Sequence, residues 1–232
     1  MQLFPAGVRR DKGAETDGAP HENRECNPGM IALDPPAGPM ALTASTMLPL
    51  GTALPLSLMQ EQLTPVVGSL PQALALEGRP VLVMFLCPHC PFVKHIEAEL
   101  GRLGRDLGEQ AALIAIRSNS LSSHPQDGPV EMAAQAQAHG WTFPYLADDS
   151  QAVAKAFRAA CTPDLYLFDR AHRLAYRGQL DGSRPGQPTP CDGRDLRGAL
   201  AALLAGRTPV AEQIAAIGCN IKWHPGQEPD WA

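Results

Sequence analysis

Residues Val81–Leu86, "VLVMFL", form an unbroken apolar run of strand length, and the chain changes its period directly afterwards. From Phe92 the apolar positions recur at Ile96, Leu100, Leu103 and Leu107, while Lys94, Glu97, Glu99, Arg102 and Arg105 fall elsewhere. The first segment reads as a strand buried on both faces, the second as an amphipathic helix. A strand of that kind needs cover on both sides of its sheet, and a helical crossover to its neighbour supplies it. This one junction restricts the chain to α/β architectures.

The rest of the pattern agrees. Ala111–Ile116 is a second apolar strand, followed by a loop from Arg117 to Pro129 and a short Ala-rich helix, Val130–His139, closed by Gly140. Phe143–Leu146 is a brief strand, and Ser150 is expected to cap a helix running to about Ala160. Leu165–Phe168 and Leu174–Arg177 are strands joined by the hairpin sequence "DRAH". After a Gly/Pro loop over Asp181–Asp192, Arg194–Leu204 is helical. The order β-α-β-α-β-α-β-β-α implies a mixed central sheet flanked by helices. Residues 1–46 lack periodicity and read as a flexible N-terminal extension, 47–207 as the folded domain and 208–232 as a C-terminal tail.

Between strand and helix stands "CPHC", Cys87 to Cys90. A structural zinc site commonly takes two close ligand pairs; no second CxxC or HxxxH follows this one. Haem attachment needs a His after the second cysteine, where this chain has Pro91. A redox dithiol fits better. A helix N-terminus carries partial positive charge and unpaired N–H groups that stabilise a thiolate, and a protonated His89 would add to that. Pro91 chooses between two registers. With Cys87 as the cap, Pro91 would remove a helical N–H at a cost on the order of 3 kcal/mol if fully interior. With Cys90 as the cap, Pro91 takes the first helical position, where proline is favoured.

The net charge of −5 and pI near 5.8 speak against a nucleic-acid partner. Residues 35–60 are uncharged but carry Pro35, Pro36, Pro39, Pro49 and Pro55, which a membrane helix would not accommodate easily. Arg9-Arg10 is followed by Asp11 and Lys12 rather than an apolar segment. The expectation is a soluble cytoplasmic protein without membrane attachment; a cleaved signal beginning at Met40 is the alternative. Nothing in the residues calls for a cofactor or a metal.

Five segments, "MFLCPHCPFVKHIEAEL", "GWTFPYLADDSQAVAKAF", "ACTPDLYLFDRAHRLAYRGQLDGSRPG", "GRDLRGALAALLAG" and "IGCNIKW", make the chain resemble the thioredoxin-like superfamily over about residues 48–226. The similarity is greatest to a peroxiredoxin-like branch related to alkyl hydroperoxide reductase and thiol-specific antioxidant proteins. The resemblance implies a thioredoxin-like fold and thiol-disulfide or peroxide chemistry. Its partners would be a disulfide or peroxide substrate and a thiol reductant such as thioredoxin. It also implies a cis peptide bond between Thr162 and Pro163, packed beside the dithiol.

Within that resemblance Cys90 lies five residues after Phe85, the spacing of the thioredoxin nucleophile. Lys94 falls where thioredoxins carry a lysine, and Val93 replaces their second cysteine. Cys90 is thus the favoured attacking thiolate and Cys87 its resolving partner. Two departures stand out. Val81–Leu86 lacks the buried acid of thioredoxins, and the peroxiredoxin Thr-x-x-Cys pattern is absent, since Cys87 stands three before Cys90 and Met84 three before Cys87. Cys161 could face the dithiol, and Cys219 could act as a resolving thiol. Lys94 and Lys222 read as surface charges, Trp141 and Trp223 as packing residues, and Asp148-Asp149 as acids preceding a helix. A non-catalytic redox sensor and a metal-binding module are the alternatives to an enzyme.

Overall fold

A computed structural model describes residues 42–76 and 78–231 of the chain. In chain order the elements are β1 (Leu42–Ala44), α1 (Leu56–Gln62), β2 (Thr64–Val67), α2 (Leu70–Ala73), β3 (Val81–Phe85), α3 (Pro91–Leu107), β4 (Ala112–Arg117) and α4 (Pro129–Ala138). They continue with β5 (Tyr145–Ala147), α5 (Ala152–Phe157), β6 (Cys161–Thr162), β7 (Asp164–Phe168), β8 (Leu174–Gly178), α6 (Arg194–Leu204) and β9 (Ile217–Asn220).

The main sheet runs β2-β5-β4-β3-β7-β8. β3, β4 and β5 are parallel; β7 runs antiparallel to β3, and β8 returns beside it as the expected hairpin. β3 is central and fully buried, as its sequence requires. Alternate residues serve opposite faces. Leu82 and Met84 join the core containing Cys87, Cys90 and the apolar stripe of α3, whereas Val81, Val83 and Phe85 join the core beneath α1 and α5. Burying side chains of this size is worth about 1.5–3 kcal/mol each, so the strand is pinned from both sides. Glu97 and Glu99, expected among the solvent-facing positions of α3, are buried. Glu97 pairs with His139 at 2.8 Å and receives the Gln135 amide, and Glu99 pairs with Arg197 at 2.7 Å.

A second, three-stranded sheet, β1-β9-β6, was not legible as sheet in the sequence. Leu42–Ala44 and Ile217–Asn220, read as parts of extension and tail, pair antiparallel with each other, and β9 also pairs with β6. Strands of two to four residues are too short to display a period, and these pairings join distant parts of the chain. The expected flexibility of the extension falls otherwise on residues 1–41, which lie outside the described residues. α1, β2 and α2 also fill a stretch without assigned elements in the sequence reading. Ser150 is not the helix cap: Gln151 holds that position in the left-handed region at φ 60°. Asp148 accepts the Val153 and Ala154 N–H groups at 3.3 and 2.9 Å, and left-handed Arg158 stops the helix at Phe157. No helix among the described residues is long and apolar enough to cross a membrane.

Asp164 opens β7 opposite Phe85 and is completely buried. One carboxylate oxygen accepts from the Tyr166 hydroxyl at 2.9 Å and the Ala160 N–H at 3.2 Å; the other has no hydrogen-bond partner. Burial pushes this carboxyl up to about 6, against hydrogen bonds that favour its charge. A carboxyl raised on folding stabilises the protein below its unfolded value near 3.9, and that stabilisation is lost as the pH rises through 6. Asp164→Asn should therefore gain stability relative to the wild type between pH 4 and pH 7, by about 3 kcal/mol. Urea denaturation of both proteins across that range measures it, and a pH-independent difference would refute the assignment.

Candidate active site

The two cysteines are placed by the end of β3 and the start of α3. The Leu86 N–H still donates to Ile116 on β4 at 2.9 Å, which holds the chain in sheet geometry to the edge of Cys87. Pro88 and His89 form the turn, and Cys90 is the N-cap of α3 with extended backbone at φ −69° and ψ 121°. Pro91 occupies the first helical position. The Lys94 N–H closes the first helical turn onto the Cys90 carbonyl at 2.9 Å, so the proline removes no bond. Cys90 thus sits at the positive end of a 17-residue helix.

The loop between β6 and β7 meets this turn from the other side. Its Thr162–Pro163 peptide bond is cis, as the family resemblance implied. The Thr162 hydroxyl lies 3.3 Å from Cys87 Sγ, and the Thr162 carbonyl accepts the Cys90 thiol at 3.1 Å. Cys87, His89, Cys90, Thr162 and Pro163, scattered over the sequence, therefore meet at one place. Cys87 and Cys90 are both buried, Cys90 with no exposed surface.

Three neighbours were missed by sequence reasoning or given little weight. Asp127, wholly buried in the short helical turn Pro125–Asp127, accepts the His89 backbone N–H at 3.1 Å and the His89 ring Nδ1 at 2.7 Å. The Asn119 amide donates to the same carboxylate at 2.8 Å. Burial alone would push the Asp127 carboxyl up, but hydrogen bonds from His89 and Asn119 outweigh it and hold the acid below its ordinary range. The acid absent from β3 is thus supplied from the loop after β4. Its partner lies 38 residues away, a separation no local pattern reports. The Nδ1 edge of His89 is 3.7 Å from Cys87 Sγ, and its ring packs 5.0 Å from that of His124.

The third neighbour is Cys219. It is buried in the same apolar cluster as Cys87 and Cys90 and stands opposite Thr162 where β9 pairs with β6. Bonds from Cys219 first and Cys87 second, working against burial, hold the Cys90 thiol far below its usual value. Cys87 is pushed up, chiefly by burial, and Cys219 is pushed up by its bond to Cys90 and then by burial. Cys161 takes another direction, its sulfur 3.5 Å from the Pro163 carbonyl and 4.0 Å from that of Ala216. Lys94 is exposed, and Lys222 hydrogen-bonds to Asn220. Trp141 is a packing residue stacked on Phe143, its indole N–H on the Glu97 carbonyl.

Cys87, His89 and Asp127 could offer a metal ion three ligand atoms within 4.8 Å of one another. Both oxygens of Asp127 are already engaged by His89 and Asn119, so its burial needs no ion. Among the described residues no arginine hydrogen-bonds to a sulfur of the site; Arg117 stands one layer behind, on the Asn119 carbonyl at 2.9 Å.

Residues 67–177 match the AhpC/TSA family model. The structure is similar to that of an uncharacterized conserved protein from Geobacillus kaustophilus, with 42% identity, a TM-score of 0.74, and coverage of 81% of this chain and 99% of that one. It is also similar to a hypothetical protein from Sinorhizobium meliloti 1021, with 38% identity, a TM-score of 0.71, and coverage of 79% of this chain and 100% of that one. No curated protein matches the sequence.

Two outcomes follow for thiol reactivity. Iodoacetamide below about pH 7 should alkylate Cys90 first, because an ordinary thiol near 8.5 is mostly protonated there; fast labelling of Cys87 alone would reverse the assignment. Gly218 lies against the Thr162 carbonyl, where an added Cβ would stand 2.0 Å from the oxygen. Gly218→Ala must therefore push β9 away from Thr162, and peptide mapping should show Cys90 and Cys219 labelled faster than in the wild type.

Proposed function

We propose that the chain, whose residues 67–177 match the AhpC/TSA family model, is a thiol-disulfide oxidoreductase in which Cys90 is the nucleophile. The observation that carries the reading is Cys90 at the N-cap of the 17-residue helix α3, buried in one cluster with Cys87. Helix dipole and hydrogen bonds act together on one sulfur, which is the requirement for a thiolate at neutral pH.

In the reaction the Cys90 thiolate attacks one sulfur of a substrate disulfide, and a mixed disulfide forms as the other sulfur leaves and takes a proton. The Cys87 thiol then attacks Cys90 Sγ, closing a Cys87–Cys90 disulfide and releasing the second substrate thiol. The protein loses two electrons to the substrate, and an external thiol reductant such as thioredoxin restores it. The His89–Asp127 pair stands beside Cys87, with Nδ1 of the ring 3.7 Å from the sulfur. The Thr162 hydroxyl orients Cys87, and the cis Pro163 loop sets the distance to both sulfurs.

A second reading, peroxide reduction, draws support from the complete burial of Cys90, which suits a substrate of a few atoms better than a folded protein. There the thiolate would take the distal peroxide oxygen as a sulfenic acid, the alcohol or water would leave, and Cys87 would condense with release of water. The missing arginine at the sulfur weighs against it, since little remains to polarise the O–O bond.

Turnover separates these readings from a passive switch. The wild type should reduce insulin disulfide or consume hydrogen peroxide catalytically with dithiothreitol, and Cys90→Ser should fall to background in whichever assay is positive. Cys87→Ser should no longer form the Cys87–Cys90 disulfide and should turn over more slowly than the wild type. Indistinguishable behaviour of all three proteins would remove the enzyme reading.

A further inference from the structure

Cys219 lies in a segment that the reaction above leaves unused, yet the fold delivers it to the sulfur that reacts. β9 runs antiparallel to β6 with Cys219 opposite Thr162. Residues directly opposite in an antiparallel pair project to the same face with Cβ atoms about 4.5–5.5 Å apart. The Thr162 side chain on that face reaches Cys87 Sγ at 3.3 Å, and the Thr162 carbonyl receives the Cys90 thiol at 3.1 Å. Cys219 therefore enters the site from the side opposite the CPHC turn. It is buried in the same apolar cluster as Cys87 and Cys90. Gly218 makes the approach possible, because any larger residue there would strike the Thr162 carbonyl.

Resting on the reading of Cys90 as nucleophile, we propose that Cys219 is a third redox thiol that pairs with Cys90, so that the disulfide passes from Cys87–Cys90 to Cys90–Cys219. In that exchange the Cys219 thiolate attacks Cys90 Sγ, the Cys87–Cys90 bond breaks, and Cys87 leaves as a thiolate that takes the proton Cys219 gave up. No electrons enter or leave, so no further oxidant is needed. The exchange moves the oxidised bond from a tight turn to a link between the N-terminus of α3 and β9. The same step can act directly on a Cys90–substrate mixed disulfide, which gives the site a second resolving thiol.

The test uses the full chain with Cys87→Ser, and Cys87→Ala as a second background in case the first fails to fold. Each is treated with one equivalent of hydroxyethyl disulfide, quenched in acid, blocked with N-ethylmaleimide and digested for mass spectrometry. The expected product is a peptide pair joined through Cys90 and Cys219, with a second equivalent of mercaptoethanol released. Adding Cys219→Ala should abolish that second release and leave mercaptoethanol on Cys90. A persistent mercaptoethanol adduct on Cys90 with Cys219 blocked by maleimide, or a link from Cys90 to any other cysteine, overturns the relay while leaving Cys90 as nucleophile. If in both backgrounds Cys90 is recovered blocked by maleimide, with neither mercaptoethanol nor a peptide joined to it, the reading of Cys90 fails, and the relay with it.

Discussion

Thr162 holds the site together. Its carbonyl oxygen accepts the Cys90 thiol, its hydroxyl touches Cys87, its backbone pairs with Cys219, and its cis bond to Pro163 turns the chain from the small sheet into the main one. Each sulfur is set against this one residue, so their mutual distances are fixed by two sheets rather than by a flexible loop.

Around this centre familiar parts are redistributed. β3 holds no acid, and the buried carboxylate nearest the turn is Asp127, which meets it through His89. Cys87 occupies the position three before Cys90, where it presents a thiol in place of a threonine hydroxyl. A thiol there can be oxidised in the next step, which a hydroxyl cannot.

The sequence carried the central β-α-β units openly, because β3 alternates between two cores and α3 keeps one apolar stripe over 17 residues. Pro91 told where that helix begins, a local rule with few exceptions in its favour. What stayed hidden depends on distance. Asp127 meets His89 only after β4 and its loop have folded back, and β9 is four residues long with a partner on each side. Asp148, read as an acid before a helix, does serve the N–H groups of α5, but the cap itself fell on left-handed Gln151, a conformation rare outside glycine.

The late position of β9 has a consequence for synthesis. Cys87 and Cys90 leave the ribosome well before Ile217–Asn220 are translated, so for that interval neither Cys219 nor the strand that carries it is available. The nascent chain presents a bare dithiol, open to whatever oxidant surrounds it, and becomes a shielded centre only when β9 settles between β1 and β6. A chain halted before that strand would retain the reactive pair without its cover, and its chemistry would answer to the cell rather than to the fold.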